Sequence, residues 1–195
     1  KVYRTRDTEL EALGDVSFDV FPGEFVSVVG PSGCGKTTLL KILAGLLPHS
    51  SGEIVVESEN FDIEREVGFV FQKPLLLHWR KVLDNVLLPI EILKINRKSM
   101  VGRARELLSL VGLDGFEDRY PNELSGGMQQ RVAIARALAF RPDVLIMDEP
   151  FASVDAQTRF ELEDLCLQIR DSLGMTIVIV THDIDEAVYL SNRVV

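Results

Sequence analysis

The run Phe25-Val26-Ser27-Val28-Val29 leads straight into Gly30-Pro31-Ser32-Gly33-Cys34-Gly35-Lys36-Thr37, and this junction decides how the chain is read. The near-continuous apolar run suits a strand buried on both faces of a parallel sheet. The residues after it satisfy G-x-x-x-x-G-K-[ST] at every fixed position. Thr37–Ala44 continues as a helix, so the motif lies between a strand and a helix N-terminus. Its glycines let backbone N–H groups curl around phosphate oxygens, and the helix start adds partial positive charge. Lys36 is expected to reach the β- and γ-phosphates, with the Thr37 hydroxyl as a ligand for Mg²⁺. A glycine-rich turn that binds nothing is the alternative, and the flanking strand and helix argue against it. Cys34 fills a free position of the motif and reads as a bystander thiol.

Working outward, Val67–Phe71, Val144–Met147 and Thr176–Val180 repeat the buried-strand pattern. Between them apolar residues recur at helical spacing: Met100, Ala104, Leu107, Leu108 and Val111, then Leu162, Leu165, Cys166, Ile169 and Leu173. The first helix is expected to begin at Ser99 and stop at Gly112. Alternating strands and helices predict an α/β fold with a mainly parallel sheet. From about Asp84 to Phe140 there is no convincing strand. We therefore expect one domain spanning 1–195, with 1–83 and 141–195 as an α/β core and 84–140 as an inserted helical lobe. The chain opens at Lys1 without a methionine and stops at Val195 within an apolar run, so both ends are expected to be truncated.

Composition removes several classes of function. The 195 residues carry a net charge of −9, which repels phosphate backbones at long range and argues against nucleic-acid binding. With 46% hydrophobic and 26% charged residues, the balance is that of a folded domain. Two cysteines cannot build a disulfide framework or a multi-Cys zinc site, and the three histidines show no ligand spacing. No apolar run approaches the about 18–20 residues that cross a bilayer, and no leader is recognisable. A soluble, cytoplasmic domain is the expectation.

Val144-Leu145-Ile146-Met147 ends in two carboxylates, Asp148 and Glu149. In a parallel sheet ligands gather beyond the strand C-termini, so both should point toward the phosphate loop. Asp148 can hold Mg²⁺ through water, and Glu149 can polarise an attacking water as general base. Further on, Leu124-Ser125-Gly126-Gly127-Met128-Gln129-Gln130 opens another helix, a second helix end suited to an anion.

With that signature the sequence resembles the ATP-binding cassette (ABC) ATPases over nearly its whole length. The resemblance implies a P-loop NTPase core, ATP and Mg²⁺ as cofactors, and a helical lobe carrying the signature. It implies nucleotide contacts from Gly30, Pro31, Ser32, Gly33, Cys34, Gly35, Lys36, Thr37 and Thr38, with Tyr3 stacking on adenine. Gln72 matches the loop glutamine that senses Mg²⁺ and faces the transport partner, joining Thr37 and Asp148 in the metal set. His182, after the strand Thr176–Val180, matches the switch histidine at the γ-phosphate. The implied catalytic group is thus Glu149, His182, Gln72 and Lys36. Ser153-Val154-Asp155 falls where the family more often has Ser-Ala-Leu-Asp, and Asp155 is retained. The family pairs two subunits head to tail, so Ser125, Gly126, Gly127 and Asp155 would meet nucleotide across a homodimer interface.

Phe71-Gln72-Lys73-Pro74-Leu75-Leu76-Leu77-His78-Trp79-Arg80-Lys81-Val82-Leu83-Asp84-Asn85-Val86 is similar to importers of the nitrate, sulfonate and taurine group. That resemblance implies separate integral membrane permease subunits, an indirect solute-binding protein, and peripheral attachment at the cytoplasmic face of the membrane. Leu75–Trp79 is unusually apolar for a loop and is expected to form part of a groove for the membrane subunit, the alternative being burial within the lobe. A soluble ABC ATPase of cluster assembly or DNA maintenance is the competing expectation. The separation of loop and signature by only about ninety residues, without heptads, weighs against the DNA-maintenance class.

Overall fold

The computed structural model describes residues 1–4, 9–57 and 61–195. Strands β1 (Val2–Arg4) and β2 (Glu9–Glu11) form an antiparallel pair with Tyr3 opposite Leu10. Then come β3 (Phe25–Val29), α1 (Lys36–Leu43), α2 (Ile63–Glu66) and β4 (Val67–Val70). Four helices follow with no strand between them: α3 (Val82–Val86), α4 (Leu88–Ile92), α5 (Arg97–Leu110) and α6 (Gly126–Leu138). After them lie β5 (Val144–Asp148), α7 (Ala156–Leu173), β6 (Thr176–Thr181), α8 (Ile184–Leu190) and β7 (Arg193–Val194).

The main sheet runs β4-β5-β6-β3-β7, and every neighbouring pair is parallel. Register explains what this does. Val29 lies opposite Thr181, and Asp148 opposite Val180, so β3, β5 and β6 end nearly level. The segments that leave them, starting at Gly30, Glu149 and His182, therefore emerge side by side at the carboxyl edge, where open α/β sheets bind ligands.

Continuous apolar strands are required because both faces are covered. Leu145, Met147, Ile177 and Ile179 point into a core shared with α3, α5, α6 and α7. Ile146, Val178 and Val180 point the other way, onto Leu39 and Leu40 of α1. Alternate side chains thus face opposite layers, and each fully buried aliphatic contributes about 1.5–3 kcal/mol over exposure.

Some expected boundaries move. Helix α5 begins at Arg97, not Ser99: Asn96 is the cap, accepting the Lys98 N–H at 3.0 Å, while the Ser99 hydroxyl donates to the Asn96 carbonyl. It ends at Leu110, with Gly112 in the left-handed turn beyond (φ 71°). Strand β4 stops one residue before Phe71, whose carbonyl accepts from the Gln130 side chain at 3.4 Å. Helix α1 runs one residue earlier at each end than Thr37–Ala44.

Candidate nucleotide site

The turn between β3 and α1 works because two of its residues take backbone angles that favour glycine, Gly33 at φ 83° and Gly35 at φ 103°. Gly35 has a second constraint. A Cβ there would stand 2.2 Å from the Ala12 carbonyl oxygen, so the loop rests directly on the segment after β2. Lys36 is almost buried, and its ammonium donates to the carbonyls of Gly30 (2.7 Å) and Pro31 (2.9 Å). The loop thereby holds its own cation in place.

Across the sheet edge, the Thr37 hydroxyl donates to Asp148 Oδ1 at 3.0 Å. Burial is the main influence on the Asp148 carboxyl and pushes its pKa above the ordinary value; the bond from Thr37 opposes this, and neighbouring Glu149 adds to it. Such a carboxylate gains most when a cation sits beside it. The hard oxygens of Thr37 and Asp148 are the donor chemistry that suits Mg²⁺, which takes few protein ligands and keeps several waters.

Glu149 is the meeting point. Its backbone is left-handed (φ 45°), a conformation that costs a non-glycine residue about 1–3 kcal/mol and is held here by its N–H bond to the Val180 carbonyl at 2.9 Å. That backbone places the carboxylate between two exposed side chains: Gln72 Nε2 lies 3.5 Å from Oε2, and His182 Nδ1 lies 3.3 Å from the same oxygen. A cavity of about 250 Å³ opens over the loop, with Ser32, Gly33, Gly35, Lys36, Thr37, Thr38 and Glu149 among its walls. Ala12 completes the wall. Sequence reading missed it, and no local signal marks a residue that reaches the loop from a separate pair of strands.

Tyr3, Ser125, Gly126, Gly127 and Asp155 are not part of that wall. Tyr3 lies on the small antiparallel pair, half-exposed, with the Lys1 ammonium 5.2 Å from its ring centre. Ser125 caps α6 by accepting the Met128 N–H at 3.2 Å; Ser125 and Gly126 are exposed at that helix end, and Gly127 is buried. Asp155 caps α7 through the Thr158 N–H at 3.0 Å. Helix α6 also connects outward. Gln130 bonds Phe71, and Arg136 donates to the Pro74 (2.7 Å) and Leu75 (2.9 Å) carbonyls, so the signature helix holds the chain on both sides of Gln72. Buried Asn85 secures the next stretch through Leu77, Arg80 and Lys81. Leu76 is buried, whereas Trp79 is 75% exposed.

A parallel sheet with a phosphate loop and an acidic pair at its carboxyl edge defines a P-loop NTPase. Residues 13–152 match the ABC transporter family. An aliphatic sulfonates import ATP-binding protein of Bacillus cereus is 45% identical over 100% of this chain and 77% of its own length. A taurine import ATP-binding protein of Rhizobium johnstonii is 46% identical, over 95% of this chain and 71% of its own. A solved dimeric ATP-binding cassette in a post-hydrolysis state, bound to ADP and Pi, superposes with a TM-score of 0.85 at 36% identity, covering 100% of this chain and 90% of that one. The chain belongs to the ABC transporter family and is an ATP hydrolase of that type. Among the described residues no helix is long and apolar enough to cross a membrane.

Proposed function

We propose that this chain is the ATP-binding and ATP-hydrolysing subunit of an ABC importer, driving uptake of a small solute such as a sulfonate, taurine or nitrate through separate membrane subunits. The convergence of Gln72 and His182 on one oxygen of Glu149, beside the phosphate-loop cavity, is the observation that carries the reading. The import function and the solute class are supported by the sulfonate and taurine import proteins it resembles.

In this reading Lys36 and the loop N–H groups bind the phosphates, with Thr37, Asp148 and Gln72 on the metal side. Mg²⁺ would neutralise phosphate charge there. Glu149 takes the proton of the attacking water, His182 contacts the γ-phosphate, and Tyr3 stacks on adenine. Residues 1–83 and 141–195 act as the nucleotide-binding core, and 84–140 as a lobe. Ser125, Gly126, Gly127 and Asp155, which lie off the cavity wall, reach the nucleotide of a second copy arranged head to tail. The dimeric cassette it resembles supports such pairing. The subunit sits at the cytoplasmic face of the membrane, with exposed Trp79 and the segment after Gln72 turned to the permease; a solute-binding protein acts on the far side.

Mixing subunits tests the shared site. Lys36→Ala weakens nucleotide binding by losing a charge at the phosphates. Combined with Ser125→Arg, a head-to-tail dimer holds one doubly damaged and one intact site, so ATPase activity should return. Verified mixed dimers without recovery would reject sharing. Copurification with a membrane subunit and solute-binding protein tests the importer role, and Trp79→Ala should keep ATP binding while uncoupling transport.

A further inference from the structure

A second, smaller cavity of about 40 Å³ lies beside His182, with Glu149, Arg159, Thr181, Asp183 and Glu186 also in its wall. It has room for about one to three waters. Two of its polar atoms are buried without a partner, Arg159 Nε and Glu186 Oε1, and Glu186 is only 7% exposed. The turn carrying His182 is fastened on both sides. The Asp183 carboxylate caps α8 by accepting the N–H groups of Asp185 (3.0 Å) and Glu186 (3.3 Å), and Arg159 of α7 donates to it at 3.1 Å. The Asp183 N–H donates to the Thr181 hydroxyl at 3.0 Å, and that hydroxyl lies beside the Glu186 carboxyl, where it favours the charged form.

We propose that Arg159 and Glu186 are positioning residues for His182: Arg159 holds Asp183 and thereby the turn, and Glu186 competes for the same guanidinium once it ionises. The competition follows from the charges around Glu186. From α7 it meets the carboxyl of Glu163, the thiol of Cys166, which burial keeps protonated, and one cation, Arg159. The cap of its own helix contributes Asp183, and β6 the uncharged Thr181. Other charges nearby have partners: His182 Nδ1 lies 3.3 Å from Glu149 Oε2 in the same cavity wall, Arg131 near Cys166 donates to Glu161 at 3.0 Å, Tyr189 donates to Asp164 at 2.6 Å, and Arg193 beside α8 bonds Glu24 at 2.9 Å. Among the described residues a charged Glu186 therefore turns to Arg159, whose orphaned Nε belongs to the same cavity wall. Burial first, with Glu163 and Asp183 adding, pushes the Glu186 carboxyl up to about 7, against the opposing Thr181 bond and Arg159. The neutral acid leaves Nη1 of Arg159 with Asp183; the anion pulls the Nε edge of the guanidinium toward itself, turning Nη1 off Asp183 and loosening the turn.

The inference rests on the reading of His182 as the γ-phosphate contact. The test measures kcat with MgATP from pH 6 to 8 for the wild type, Glu186→Gln and Arg159→Gln. Glutamine at 186 keeps an acceptor for Thr181 and cannot ionise, while glutamine at 159 keeps an N–H donor for Asp183 and carries no charge for Glu186 to draw. The neutral fraction of Glu186 drops about tenfold over this range. The wild-type kcat divided by that of either variant should therefore fall several-fold, with a midpoint near 7. A ratio constant with pH in a folded variant overturns the proposal, and Arg159→Gln alone suffices should Glu186→Gln fail to fold. His182→Ala separates the two levels. If it turns over normally, the reading of His182 is wrong and the proposal falls with it; if it is inactive and the ratios are flat, the positioning role alone is rejected.

Discussion

The Thr37 hydroxyl donates to Asp148 Oδ1 across 3.0 Å, fastening the first turn of α1 to the end of β5. The two residues stand 111 positions apart, and the bond fixes the distance between the phosphate loop and the acidic pair.

Thr37→Val removes that donor while keeping the shape. The Asp148 carboxyl loses the one hydrogen bond that lowers its pKa, so burial raises it further. Losing a bond to a charged acceptor costs about 1.5–3 kcal/mol. We expect Mg²⁺-dependent nucleotide affinity to fall by about tenfold or more, a factor matching about 1.4 kcal/mol. Thr37→Ser should restore most of it. Nucleotide titrations with and without Mg²⁺ check this; equal Mg²⁺ dependence in Thr37→Val and wild type would remove Thr37 from the metal side.

Glu149→Gln separates binding from turnover. The amide is nearly isosteric and keeps an oxygen facing Gln72 and His182, yet it cannot accept a proton. ATP affinity should stay within a few-fold while kcat drops by about 10²-fold or more. The variant should also accumulate as a nucleotide-bound dimer, visible by size-exclusion chromatography. Turnover near the wild-type rate would assign the base elsewhere.

Much of the fold could be read from the chain because both faces of the parallel sheet are covered. That is why β3, β4, β5 and β6 appear as unbroken apolar runs within a residue of their positions in the structure. The phosphate loop was equally legible, since its chemistry is local. Where two local signals compete, reading fails: Asn96 and Ser99 are both good caps, and only the folded backbone selects Asn96. Contacts between distant segments leave no local trace. The Ala12 carbonyl beneath Gly35 depends on the β1–β2 pair reaching the loop, and the Arg159–Asp183 pair on α7 packing against α8. Gln72 and His182 were reached only through the family resemblance; the level ends of β5 and β6, with β4 alongside, supply the physical reason they meet at Glu149.

Glu186 also makes stability depend on pH. Its pKa is raised from 4.5 to about 7, so the folded state holds its proton more tightly than the unfolded chain. Folding is favoured by this group below about 4.5, and the advantage is lost as pH rises toward 7. The whole effect is at most about 3 kcal/mol, from 1.36 kcal/mol per unit. Glu186→Gln removes it, so the variant should gain stability relative to wild type between pH 5 and 7.5. Urea unfolding at several pH values measures the difference; parallel curves would mean that Glu186 ionises normally.

Gly127 lies in the first turn of α6 and packs against α7. By helix propensity alone, Gly127→Ala should stabilise by about 1 kcal/mol. The structure argues the reverse, because an added Cβ would stand 2.2 Å from Cγ2 of Thr158 on α7. Thr158 cannot easily turn away. Its hydroxyl donates to Asp155 Oδ2 at 2.7 Å and its N–H to Oδ1 at 3.0 Å, so rotating the side chain breaks the hydroxyl half of the α7 cap. Overpacking of this kind costs about 1–3 kcal/mol. Gly127→Ala should therefore destabilise the fold, and Thr158→Ser should rescue it, because serine keeps the hydroxyl and deletes the clashing methyl. Thr158→Ser alone should cost under about 1 kcal/mol, being a small loss of contact. A double-mutant cycle by urea unfolding reads the coupling directly. Stability is the readout to choose, since a loss of ATPase activity in Gly127→Ala could also arise at the nucleotide. If Gly127→Ala is neutral, or if serine at 158 gives no recovery, the close approach of α6 to α7 is not what requires glycine there.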